Sequence, residues 1–165
     1  MWPVTLFNIC LLRANPQDLP TSTALTVLVL VLYYLADFIT ALALVPAGRA
    51  LQAAAADTLL IGTLTYAALS LRQLKPRTRQ TLMALAGGGA VLGIVTTAVG
   101  SLLPEGVSPF LISLPALLWL LAVYGHILRH ALDVPYAMGV VATGAYLFLS
   151  LVVVGPFLIP PPGGN

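Results

Sequence analysis

Five runs of about 20 or more apolar residues, separated by short breaks of Pro, Gly and charge, constrain this chain most strongly. A helix needs about 20 apolar residues to cross the hydrocarbon core of a bilayer. The runs lack the alternation of membrane β-strands, so their backbone groups are satisfied only in helices. The sequence therefore predicts an all-α integral membrane bundle of five transmembrane helices. The predicted spans are residues 24–45, 50–71, 82–103, 109–128 and 135–158.

Charged residues are scarce, at 7% of the 165 residues, whereas soluble domains carry about 25%. This composition excludes a water-soluble globule, a disordered chain and a nucleic-acid binder. With most residues in spans, residues 1–165 are predicted to form a single transmembrane domain without a soluble one. A lone cysteine, Cys10, excludes an internal disulfide and a CxxC centre.

The N-terminal apolar run, from about Val4 to Leu12, is too short to span a bilayer. It has no basic residue before it and no prompt cleavage site after it, so we expect it to belong to the mature protein. The pattern predicts a short interfacial helix, with Trp2, Phe7 and Leu11 toward lipid and Asn8 and Arg13 toward the headgroups.

The basic residues are distributed unequally between the two predicted sides of the membrane. Basic residues concentrate in cytoplasmic loops, so this bias predicts a cytoplasmic N-terminus and an external C-terminus, in the inner membrane of a bacterium. The cluster between the second and third spans is expected to enforce topology and to bind anionic headgroups, or else to dock a soluble partner. Arg49 lies alone on the external side, and the opposite side holds Arg13, Arg72, Lys75, Arg77, Arg79 and Arg129.

Two carboxylates, Asp37 and Asp57, fall inside predicted spans at similar depth on consecutive antiparallel helices. An unpaired charge at the centre of a span costs at least about 2.5 to 3.5 kcal/mol. If the two side chains face each other, they should share a proton or bind a cation. Alternatively, Arg49 pairs with one of them, they act as polar contacts between helices, or a partner subunit supplies the counter-charge.

His126 and His130 lie four residues apart, on one face of the fourth span. Such a pair is a candidate metal or haem ligand set. No acidic residue or cysteine adjoins the pair within Tyr124–His130, and interfacial anchoring beside Arg129 is the simpler interpretation. We therefore expect no cofactor.

Gly89, Gly93 and Thr97 follow the small-xxx-small pattern that lets helices approach closely. The face they form is predicted to pack within the chain or to contact another subunit. The expected partners are accordingly the lipid bilayer and a membrane protein or a second copy of this chain, and not nucleic acid.

The sequence contains no nucleotide-binding, zinc-protease or nucleophile-elbow motif, and an enzyme is not expected. The first functional prediction is an accessory, scaffold or assembly subunit acting through helix contacts. The second is a small proton- or cation-coupled transporter or channel that uses Asp37 and Asp57. A third is a haem- or quinone-associated subunit that uses His126 and His130.

The stretch from Leu11 to Pro20, which leads directly into the first span, looks like the proline-containing lead-in of bacterial Yip-type proteins. The five-span plan, with a cytoplasmic N-terminal segment and very short loops, also resembles that superfamily. The resemblance implies a scaffold or trafficking-type membrane role and assigns no functional residue.

Overall fold

The structure is a computed structural model that describes residues 1–104, 108 and 110–159. It is 85% helix, with no strand in the part described. Short 3-10 turns at Pro16–Asp18 and Lys75–Arg77 precede the second and fourth α-helices. The α-helices are α1 (Trp2–Cys10), α2 (Thr23–Leu42), α3 (Ala47–Leu71), α4 (Thr78–Leu102), α5 (Phe110–Leu132) and α6 (Tyr136–Leu158).

Helices α2 to α6 are each long and apolar enough to cross a membrane, which confirms the five predicted membrane-spanning helices. Their described ends lie within about four residues of the predicted ones. The predicted start of the fourth span, at residue 109, lies outside the described residues. The helix α5 extends to Leu132, so Arg129 belongs to its last turn instead of to the predicted loop.

The five long helices form a closed ring in the order α2, α3, α6, α5, α4 and back to α2. Helices α3 and α4 also touch across the ring. Because α2, α4 and α6 run in one direction and α3 and α5 in the other, neighbours in the ring are antiparallel except for α2 and α4, which are parallel.

The tightest packing lies in the first half of α4, where Met83–Gly88 is buried all round. This stretch is mostly Ala and Gly, and small side chains let neighbouring helices approach closely. A Cβ atom added to Gly87 would lie 2.6 Å from the Leu6 side chain of α1. A larger residue at this position would require the Leu6 side chain to move.

The N-terminal segment packs along α4 and α5, with Leu6, Ile9 and Cys10 buried. Its backbone carbonyls are bound by side chains of those two helices. The segment is helical over Trp2–Cys10, and the interfacial helix stays a prediction. The bonds are Trp119 Nε1 to the Cys10 carbonyl (3.0 Å), His126 Nε2 to Ala14 (3.0 Å), and Gln80 Nε2 to Gln17 (2.8 Å) and Leu19 (2.6 Å).

Candidate functional site

Asp57 lies in the middle of α3 and is buried, with 8% of its surface exposed. Its carboxylate accepts hydrogen bonds from three hydroxyl groups. Tyr33 donates from α2 to Oδ2, Tyr146 donates from α6 to both oxygens at 3.1 Å, and Ser150 donates from α6 to Oδ1 at 2.8 Å. One carboxylate thus joins three helices of the ring.

This polar group lies near the midpoint of the bundle. Tyr33, Asp57 and Tyr146 each lie ten residues after the start of their helix, which at 1.5 Å per residue is about 15 Å from that end. The Tyr33 and Tyr146 hydroxyl oxygens are 3.4 Å apart. A helix of this length can cross a bilayer once, which would place the group near the middle of the hydrocarbon core.

A cavity of about 410 Å³ begins at Asp57 and extends to the end of the bundle that carries Leu44 and Leu158. All five long helices contribute to its wall. Most of the wall is apolar. The hydroxyl groups of Tyr33, Tyr146 and Ser150 gather at Asp57, and the threonines of the lining lie farther along α2 and α4. The polar lining side chains are Tyr33, Asp37, Thr40, Asp57, Thr96, Thr97, Tyr124, Tyr146 and Ser150.

Asp37 lines the same cavity, one helical turn beyond Tyr33 toward the end at Leu44. Its Oδ2 atom is buried and has no hydrogen-bond partner among the described residues. The structure therefore brings Asp37 and Asp57 into one cavity, where one carboxyl group is fully bonded and the other has an unused oxygen.

Arg49 is not positioned as a counter-ion for either carboxylate. Its Nη2 atom donates to the Pro156 carbonyl at 2.5 Å, in the last turn of α6, where carbonyls lack helical partners and cations are favourable. The one salt bridge in the described part of the chain joins Arg77 and Asp133, at 3.7 Å.

The predicted helix-packing face of Gly89, Gly93 and Thr97 lines the cavity. A Cβ atom at Gly89 would lie 2.5 Å from the Tyr124 hydroxyl and 2.6 Å from the Tyr33 ring, whereas one at Gly93 would meet nothing within 4 Å. Gly89 thus makes room for two tyrosines beside Asp57, and Gly93 leaves the cavity open.

The rings of His126 and His130 are in edge contact, with centroids 4.7 Å apart. His126 Nε2 contacts the Ala14 carbonyl, so this nitrogen is engaged by the N-terminal segment. No group of three or more His, Cys, Asp or Glu side chains in the described residues could hold a metal ion. Each ring can give a metal ion one nitrogen, so the pair supplies two ligands at most.

Four basic residues between the second and third predicted spans are predicted to bind lipid headgroups. In the structure, three of them contact backbone carbonyls at one end of the bundle. Arg72 reaches Leu132 at 3.2 Å, Arg77 reaches His130 at 3.2 Å, and Arg79 reaches Thr21 at 3.4 Å. Two of these carbonyls belong to the last turn of α5, where a positive charge is favourable. Lys75 is exposed.

Sequence reasoning missed the hydroxyl groups around Asp57. The signal is present, because Tyr33 precedes Asp37 by four residues and Tyr146 precedes Ser150 by four. Each pair marks one polar stripe on an otherwise apolar helix. Two polar residues four positions apart in an apolar helix predict that this face is turned to the bundle interior. A single tyrosine does not support that prediction.

No family model, curated protein or solved structure matches this chain. The resemblance to Yip-type proteins therefore stays a prediction, and the function must be argued from the cavity itself.

Proposed function

We propose that this protein binds a cation or a proton in the cavity at Asp57 and Asp37 and carries it across the membrane. The observation that supports the proposal is the buried Asp57 carboxylate, bonded by three hydroxyl groups at the base of a cavity shared with Asp37. Carboxylates inside membrane helices are costly, and they characteristically mark ion pathways and proton relays.

The charge of the cavity supports a cationic ligand. The described lining residues include two aspartates and no Lys, Arg or His. Because Arg49 is engaged by the Pro156 carbonyl, no side chain of the lining neutralises the pair. A bound cation or proton supplies that missing charge.

We further propose a cytoplasmic N-terminus and an external C-terminus in a bacterial inner membrane. Hydrogen bonds tie the basic segment between α3 and α4 to Thr21 and to the last turn of α5. The basic residues therefore collect at one end of the bundle, as cytoplasmic residues do. Arg49 and the cavity-lining Leu44 and Leu158 lie at the other end, so in this orientation the cavity faces outward.

The decisive experiment measures cation and proton flux in proteoliposomes that contain the full chain. Wild type should support flux, and Asp57→Asn and Asp37→Asn should each reduce it at least about ten-fold, since each removes a charge that balances the ligand. Asp133→Asn is the matched control, because the same change is made to an exposed carboxylate outside the cavity. Unchanged flux and unchanged stability in the double Asp variant would overturn the proposal.

The accessory or assembly role, together with its Yip-type resemblance, remains a separate prediction. One sequence argument for it is the stripe of Gly89, Gly93 and Thr97 as a helix-packing face. In the structure this stripe lines the cavity, and Gly89 packs against Tyr33 and Tyr124 of neighbouring helices. Purification as a monomer in mild detergent, with no cross-linked neighbour in cells, would count against that role.

A further inference from the structure

A second cavity, of about 200 Å³, lies between α3, α5 and α6 in the half of the bundle that holds the basic residues. Its lining includes Ile61, Leu64, Leu128 and Ala142. We call it the inner cavity and the larger one the outer cavity. Tyr124 and Tyr146 line both. These two side chains, with ring centroids 5.9 Å apart, therefore separate the cavities.

The inner cavity has few polar groups. Apart from the two tyrosines, Thr65 is the polar residue among its described lining, and the others are Ala, Ile and Leu. A bare metal ion entering it would lose its hydration without gaining ligands, which is very costly. A solute with an apolar body would instead replace water against these walls favourably.

The outer cavity is also the wrong size for a coordinated metal ion. Sites for small organic molecules measure about 300 to 1,000 Å³, are mostly apolar, and have a few convergent polar groups. The outer cavity has that size and a mostly apolar wall, with both carboxyl groups and the hydroxyl groups bonded to Asp57 among its polar groups. Its shape therefore favours an organic ligand.

The polar end of the outer cavity combines two carboxyl groups with the aromatic side chains of Tyr33, Tyr124 and Tyr146. Carboxylates attract positive charge, and aromatic rings bind ammonium groups that have little hydration. Alkylated ammonium ions meet both conditions, because their charge is spread over apolar substituents.

We propose that the solute of this protein is a small organic ammonium ion with an apolar body. The ion binds in the outer cavity, with its charge at Asp57 and Asp37. During transport it then moves into the inner cavity, which requires the contacting rings of Tyr124 and Tyr146 to move apart. This proposal rests on the proposed function and names the substrate class of the same site.

Radiolabelled benzyltrimethylammonium is a suitable probe of the binding step. The full chain in detergent should bind it, a 100-fold excess of Na⁺ or K⁺ should not displace it, and uncharged benzyl alcohol should compete weakly. Asp57→Asn should weaken binding at least about ten-fold, and Asp133→Asn should leave it unchanged, because only Asp57 lies at the site.

The route through the inner cavity is tested by Ala142→Leu, which adds bulk to its wall. This variant should bind the probe as wild type does and should take it up into proteoliposomes at least about ten-fold more slowly. Ala137→Leu is the matched control, because Ala137 is an exposed residue of α6 that lines neither cavity. Equal uptake by the two variants would exclude this route.

The possible outcomes separate the two proposals. Proton or metal-ion flux that depends on Asp57, without probe binding, would overturn the substrate class and leave the proposed function standing. Absence of both would overturn both. Probe binding that is unaffected in Asp57→Asn would show that the ligand binds elsewhere and would also overturn the proposed substrate class.

Discussion

Tyr146 of α6 donates hydrogen bonds of 3.1 Å to both carboxylate oxygens of Asp57 in α3. The pair links two adjacent helices of the ring at its midpoint. The same carboxylate lines the outer cavity, so the contact that binds the helices together also holds the candidate ligand group in place. Substitutions here are expected to change both stability and binding.

Replacing Tyr146 with Phe should destabilise the protein by about 1 to 3 kcal/mol, because a hydrogen bond to a charged acceptor is lost in a buried place. Thermal unfolding can be followed with a thiol-reactive dye, since the lone cysteine, Cys10, is buried in the folded chain. Tyr66→Phe is the matched control, because Tyr66 is 55% exposed. Equal melting temperatures for the two variants would show that the Tyr146 hydroxyl contributes nothing.

Two glycines of α4 should respond differently to the same added methyl group. Gly89→Ala should cost about 1 to 3 kcal/mol, because its Cβ would overlap Tyr33 and Tyr124 in the interior. Gly93→Ala should be neutral or slightly stabilising, because nothing lies within 4 Å and alanine favours the helix. Both variants can be compared by melting temperature in detergent. Similar losses in the two would contradict the open cavity beside Gly93.

The number of helices was predictable from hydropathy because each apolar run is long and its ends carry Pro, Gly or charge. The depth of Asp37 and Asp57 was predictable from helical rise alone. That both aspartates line one cavity is not predictable from the sequence. The direction in which each side chain faces depends on how its helix is rotated about its axis, and packing against α4 and α6 sets that rotation. For the same reason the sequence does not distinguish Gly89, which contacts Tyr33 and Tyr124 of neighbouring helices, from Gly93, where an added Cβ atom would meet nothing within 4 Å.

Arg49 should be dispensable for transport, although it is the lone basic residue on its predicted side. It binds the Pro156 carbonyl at the end of α6, so Arg49→Gln should lower stability by about 0.3 to 1 kcal/mol through the lost helix-end interaction. Cation flux in proteoliposomes should remain at the wild-type level. A loss of flux without unfolding would mean that Arg49 balances the charge of Asp37 or Asp57 after all.

The Cys10 thiol should report how firmly the N-terminal segment is docked. Burial raises the pKa of this thiol above its ordinary value of 9.0, so the reactive thiolate is scarce in the folded protein. Labelling by a maleimide should therefore stay slow until the pH exceeds 9.0. The folded protein binds the Cys10 proton more tightly than the unfolded chain does. The contribution of this proton to the free energy of unfolding is therefore fully present below pH 9.0, and it is lost as the pH rises through the pKa of the folded state.

Trp119→Phe should accelerate that labelling about five-fold at a fixed pH. The substitution removes the 3.0 Å hydrogen bond from the indole Nε1 to the Cys10 carbonyl, which contributes about 1 kcal/mol and holds the segment against α5. Trp2→Phe is the control, because the Trp2 ring packs on the same core without this bond in the described structure. Equal acceleration by both variants would mean that ring packing, and not the hydrogen bond to Cys10, keeps α1 in place.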